Sequence, residues 1–241
     1  MIKHIELNNQ SKILRGYLDL NTSDKLVIFY HGFTGNKSEH AYIFRDFSRV
    51  LSKNNISSLR MDYYGNGESN GSFKEFTFDS LVSDANCILN YALTIKKSIV
   101  VLGFSLGGAL ASLLSVTRKS DINSIIMWNP AGNIFHHIKT YYESSLKTIN
   151  SFSKDGLFEL SIEMVKSLDN YEIYKDIETY TKPVLIISGM EDKVVPFEVV
   201  NSFKNKYINS ILYQMEGAGH GFDKASEREL LYKLSLEFIR N

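Results

Sequence analysis

A single cysteine, Cys87, stands in the 241-residue chain, so no internal disulfide can form and no metal cluster can be built on thiolates. It falls in DANCILNYAL, a helical pattern, where a free cysteine is expected to pack as core. An excess of charge of either sign is missing too. The 27 lysines and arginines balance the 27 aspartates and glutamates, so the basic field that marks a nucleic-acid binder is absent. No apolar run approaches the roughly 20 residues of a membrane span. The most apolar stretches are only LVIFY and IVVLGF. The opening residues, MIKHIELNNQSKILRGYLDLN, carry charges but lack the roughly 7–15 apolar residues of a signal peptide. There is neither an internal repeat nor a low-complexity linker. Together these absences lead to the expectation of a soluble, cytoplasmic protein, monomer or homodimer, with no nucleic-acid and no membrane partner.

What is present is a core. At 44% hydrophobic and 22% charged, the chain suits one globular domain. Short apolar strands at residues 2–7, 14–20, 26–30, 57–61, 99–102, 124–128, 184–187 and 211–215 alternate with helical patterns at 38–54, 78–95, 106–118, 196–207 and 225–239. From residue 26 onward the strands are mostly continuous apolar runs, as strands covered on both faces should be. The alternation predicts a mostly parallel sheet with right-handed crossovers, the first two strands forming an antiparallel edge.

One segment breaks this rhythm. About fifty residues separate Trp128 from Lys182, and they are rich in aromatics, among them Phe135, Tyr141, Tyr142, Phe158 and Tyr171. Leu157, Leu160, Met164, Val165 and Leu168 could line a helix face, whereas Asp155-Gly156 could turn a hairpin. An insertion of this length reads as a functional lid, although its aromatics would also serve simply to bury it against the main domain.

The stretch VVLGFSLGGALASLL, from Val100 to Leu114, opens as a buried strand and closes as a helix, with Gly103, Ser105, Gly107 and Gly108 at the join. Gly-x-Ser-x-Gly in that context is what a nucleophile elbow requires. A serine hydroxyl needs a base to take its proton. Of the histidines after Ser105, His136 and His137 lie early in the insertion, while His220 follows the last strand in MEGAGHGF, where glycines allow a close approach. A carboxylate must then fix the histidine tautomer. PVLIISGMEDKVVP supplies Glu191 and Asp192, and Asp223 is a weaker rival.

Gly189-x-x-Asp192-x-x-Val195-Pro196 resembles the acid loop of the α/β-hydrolase superfamily, in which the aspartate is the triad member. FYHGFTGNKSE resembles that family's His-Gly oxyanion loop, and RMDYYGNGESNG its Asp-x-x-Gly-x-Gly-x-Ser turn at Asp62, Gly65, Gly67 and Ser69, with Asn66 where histidine is commoner. Within the superfamily, HGFTGNK, GNGESNGSF, DANCILNYAL, GFSLGG and EGAGHGF are most similar to bacterial cinnamoyl (feruloyl) esterases, which often carry glutamine where Leu106 stands. The resemblance implies an α/β-hydrolase fold, with a core domain at 1–130 and 181–241 and a small lid at 131–180. It implies a catalytic Ser105, Asp192 and His220, an oxyanion hole made by the Phe33 and Leu106 backbone N–H groups, and a loop-shaping role for His31. The expected activity is a serine carboxylic-ester hydrolase acting on a small-molecule ester, with an aromatic acyl group suggested, and with neither cofactor nor metal. A monoacylglycerol lipase, thioesterase or aminopeptidase could use the same triad. A non-catalytic ligand-binding module would usually have lost one of its members.

Overall fold

Alternation inside each apolar strand decides the layers. Leu26, Ile28 and Tyr30 face one side of the sheet and Val27 and Phe29 the other, all buried. The same split recurs for Ile125 and Met127 against Ile126 and Trp128. A strand apolar on both sides needs a helical layer on each. The computed structural model describes residues 2–146 and 158–241 and has this three-layer arrangement.

Eight strands form one sheet: β1 (Ile2–Asn9), β2 (Lys12–Asp19), β3 (Lys25–Tyr30), β4 (Ser57–Met61), β5 (Ser98–Phe104), β6 (Ser124–Trp128), β7 (Val184–Gly189) and β8 (Ser210–Met215). Their spatial order is β1-β2-β4-β3-β5-β6-β7-β8. The β1/β2 and β2/β4 pairs are antiparallel and every other pair is parallel, so the expected antiparallel edge is present. Helices α1 (Ile43–Lys53) and α7 (Ala225–Arg240) cover the face of Val27 and Phe29. Helices α2 (Phe78–Ile95), α3 (Leu106–Thr117) and α6 (Phe197–Lys206) cover the other. Thr77 and Ser80 start α2 with a reciprocal capping box, each side chain accepting the other's backbone N–H.

Between β6 and β7 the described residues form α4 (Ile134–Leu146), α5 (Ile162–Ser167) and short 3-10 turns at Leu168–Asn170 and Ile177–Thr179. The Asp155-Gly156 hairpin turn, Phe152 and Leu157 lie outside the described residues. Leu160, Met164 and Leu168 are buried, and the Phe78 ring at the start of α2 meets Phe135 and Tyr171.

Two expectations need correction. The first helix begins at Ile43 rather than residue 38, because Glu39, Ala41 and Tyr42 have φ of 58°, 43° and 64° and cannot join a right-handed helix. Cys87 is half-buried, not core: it sits on the side of α2 toward Asn8, at the margin of the cluster. Among the described residues, no helix is long and apolar enough to cross a membrane.

Candidate active site

The central strand β5 ends at Phe104 and α3 starts at Leu106, leaving one residue to reverse the chain. Ser105 does so at φ 52° and ψ −115°, a conformation L-residues rarely adopt. The flanking glycines explain themselves by close approach. A Cβ on Gly107 would lie 1.9 Å from the Tyr30 carbonyl oxygen, and one on Gly103 would lie 2.1 Å from the Gly107 carbonyl oxygen. The missing side chains let the start of α3 pack directly on the ends of β3 and β5. The turn is anchored to β6 and the loop after it: Ser105 N–H donates to Trp128 O at 3.0 Å, and Ala131 N–H donates to Ser105 O at 3.0 Å.

The loops after β7 and β8 converge on this turn. His220 Nε2 lies 3.1 Å from Ser105 Oγ, and His220 Nδ1 lies 2.7 Å from Asp192 Oδ2. The carboxylate can only accept, so Nδ1 carries the proton and Nε2 faces the hydroxyl as an acceptor. Asp192 is itself held still, its Oδ1 accepting the Val194 and Val195 N–H groups at 2.7 and 2.9 Å, and its side chain is 1% exposed. The Phe104 ring packs against the imidazole at 5.0 Å. The rival acids are elsewhere: Asp223 pairs with His40 at 2.7 Å, and Glu191 is exposed on the same loop as Asp192.

Leu106 is the first residue of α3, so its N–H lies at the positive end of the helix dipole with no carbonyl four residues back inside the helix to accept it. Phe33 lies in the loop after β3, and both Phe33 and Ser105 line the same two cavities. His31, 1% exposed, donates from Nδ1 to Gly32 O at 3.0 Å and accepts the Tyr63 N–H at Nε2. Burial pushes its pKa down to about 4, and it remains neutral. Asp62 accepts from the Lys37 backbone and Nζ and from Glu68 N–H, and Ser69 Oγ donates to Asp62 O. These contacts make the glycine-rich turn a scaffold for the β3–α1 loop.

Two cavities meet at Ser105 and His220. One, of about 380 Å³, is lined mainly by Phe33, Ile134, Tyr141, Phe158 and Val194, with His137 among them. The Phe33 ring meets Phe73 and Tyr141 edge-on, and Phe73 meets Phe158, so the aromatic rings that line this space, Phe33, Tyr141 and Phe158, belong to one packed cluster. The other, of about 580 Å³, is polar and reaches Glu39, His40, Asn36 and Asp223.

Sequence reasoning missed Asn129. It is fully buried at the end of β6, with φ 42°. Its Nδ2 donates to His220 O at 2.8 Å and Gly219 O at 3.3 Å, while its Oδ1 accepts Gly189 N–H at 2.8 Å. One amide thus joins the loop of His220 to the strand end that leads to Asp192. A polar residue directly after the SIIMW strand, where the chain must turn, was the only sequence signal.

The sheet order, the strained serine turn and the convergence of the three loops define an α/β-hydrolase. Residues 21–173 match the model of the Hydrolase_4 family, described as serine aminopeptidase, S33, and the chain belongs to that family. It is similar in structure to Est1E from Butyrivibrio proteoclasticus, solved with ferulic acid bound. That likeness has a TM-score of 0.80 at 25% identity and covers 98% of this chain and 100% of Est1E. It is 28% identical to protein bem46 of Schizosaccharomyces pombe over 219 residues, 85% of this chain and 68% of that one. It is 25% identical to the mouse mitochondrial palmitoyl-protein thioesterase ABHD10 over 183 residues, 71% of this chain and 60% of that one. The chain is therefore a hydrolase related to serine esterases.

Proposed function

We propose that this hydrolase cleaves a small carboxylic ester with an aromatic acyl group, of the cinnamoyl or feruloyl type, through an acyl-enzyme. Ser105 attacks the ester carbonyl while His220 takes its proton, and Asp192 holds the imidazole tautomer and stabilises the imidazolium. The oxygen of the tetrahedral intermediate receives the Phe33 and Leu106 N–H groups. The alcohol leaves with the proton from His220. Water then hydrolyses the acyl-enzyme by the same route, and the cycle needs neither cofactor nor metal. Residues 131–180 act as a lid on a core made of 1–130 and 181–241.

The observation that carries the acyl preference is the aromatic-walled cavity beside Ser105. Flat apolar walls with a few polar atoms suit a planar phenolic acid, and the similarity to Est1E with its bound ferulic acid supports the same reading. Methyl ferulate or methyl p-coumarate should be hydrolysed with at least tenfold higher kcat/KM than methyl butyrate, about 1.4 kcal/mol of differential transition-state binding. Equal or better turnover of the aliphatic ester would overturn the aryl assignment. The similarity to ABHD10 favours a second reading, a thioesterase on the same triad. It predicts that an acyl thioester outcompetes its oxygen ester in the same assay.

A further inference from the structure

Glu39 is a buried carboxylate that the proposed reaction leaves unused. It lies on the β3–α1 loop, 8% exposed, at φ 58° and ψ 177°. Ala41 and Tyr42 beside it are also left-handed, and three such residues in four persist only where the surroundings over-determine them. What they achieve is the placement of the carboxylate. Glu39 Oε2 accepts the Gly32 N–H at 2.6 Å, and Oε1 accepts the His40 N–H at 2.9 Å. A Cβ on Gly35 would come within 2.8 and 2.9 Å of the two oxygens, so the loop closes around them. A Cβ on Gly32 would lie 3.5 Å from both Glu39 Oε2 and the Ser105 Cβ. Gly32 thus packs between this carboxylate, the Phe104 ring and Ser105, and the next N–H along the chain belongs to Phe33.

Resting on the serine-hydrolase reading above, we propose that Glu39 is a positioning residue of the site. Its ionised carboxylate holds the Gly32 amide, thereby aims the Phe33 N–H, and favours the imidazolium form of His220 as the tetrahedral intermediate forms. Both oxygens accept from N–H groups, which is the pattern of a carboxylate rather than a carboxylic acid. Burial pushes the Glu39 carboxyl up, while the Gly32 and His40 amides and the His220 and His40 imidazoles draw it back down. The other groups facing this pair are Asp192 and Ser105 on His220, Asp223 on His40, and the buried Tyr63 hydroxyl. Of these, only Asp192 and Glu39 combine burial with a negative charge.

The test is the rate at which a fluorophosphonate labels Ser105, followed by mass spectrometry between pH 5 and 9. Labelling needs the base and the oxyanion donors but no particular acyl group, so failure of the aryl-ester reading leaves it intact. Glu39→Gln should slow labelling tenfold or more at pH 8 and move the acid limb of the profile to lower pH, the direction that loss of a facing negative charge requires. Glu39→Asp keeps the charge but cannot reach Gly32; it should slow labelling while leaving the acid limb in place. Glu39→Gln labelling within twofold of wild type at every pH overturns the proposal, as does slowing with an unmoved acid limb, which would mark a merely structural carboxylate. Where Glu39→Gln does not fold, Glu39→Asp decides alone: a wild-type rate or a displaced limb overturns the proposal. A wild-type protein whose Ser105 is never labelled overturns both this proposal and the serine-hydrolase reading beneath it.

Discussion

Replacing Asn129 by alanine removes three hydrogen bonds from a fully buried position. The largest cost falls on Gly189, whose buried N–H loses its acceptor and gains none; an orphaned group of this kind costs about 1–3 kcal/mol. The Gly219 and His220 carbonyls lie on a half-buried loop where water can replace the amide, so they add about 1 kcal/mol at most. Alanine also tolerates φ 42° less readily than asparagine. The expected destabilisation is therefore about 2–4 kcal/mol. Because the lost bonds tether the chain at His220 itself, the imidazole also gains freedom relative to Ser105. A displacement near 1 Å costs about a hundredfold in rate, so kcat should fall roughly 10- to 100-fold with KM nearly unchanged. Urea unfolding and steady-state hydrolysis of p-nitrophenyl acetate measure the two effects separately. Asn129→Asp should be at least as damaging at pH 8, where a carboxylate would face the two carbonyls, and should recover in part at pH 5. Stability within 0.5 kcal/mol of wild type together with unchanged kcat in Asn129→Ala would refute the tether.

Ser105→Ala and His220→Ala should each lower kcat by about 10⁶, and Asp192→Asn by about 10⁴ because an amide at that position misorients the imidazole. Mutants at Glu191 or Asp223 that matched Asp192→Asn in severity would refute the choice of acid. Gly107→Ala forces α3 away from β3 by about an ångström, given the 1.9 Å approach to Tyr30 O. It should cost about 1–3 kcal/mol or more in a urea melt and, by moving the Leu106 N–H, about a hundredfold in kcat. For His31, the folded-state pKa near 4 lies below the unfolded value, so the unfolded chain takes up the proton first. Its contribution is full above pH 6.5 and is lost as pH falls toward 4, by about 3 kcal/mol. The stability difference between wild type and His31→Gln should narrow by that amount between pH 7 and pH 4, and a constant difference would show that the imidazole is not held neutral.

Much of this protein is legible in the local chemistry of its chain. Continuous apolar runs such as SIVVLGF, short and rich in β-branched residues, read as strands buried on both faces, and their alternation with helical patterns points to a parallel sheet. The glycines around Ser105 announce a tight turn because only a missing side chain permits the 1.9 Å and 2.1 Å approaches found there. Ser105, Asp192 and His220 can be nominated singly for the same reason: each stands just past a strand, where the ends of a parallel sheet gather. Whether they meet is a different kind of fact. His220 comes within 3.1 Å of Ser105, 115 residues away in the chain, and within 2.7 Å of Asp192, 28 residues away. Both approaches follow from the pairing order of β5, β6, β7 and β8, a property of the whole sheet. Glu39 and Asn129 stay hidden in the sequence for a related reason. Glu39 reads as one more charge on a helix, and its burial exists only because a left-handed turn folds it behind Gly32. Asn129 reads as a strand-end turn residue, and its role exists only because two loops arrive from about 60 and 90 residues further along the chain. Periodicity records what each segment wants to bury. Which polar groups must then satisfy one another inside depends on distances that only the assembled sheet creates.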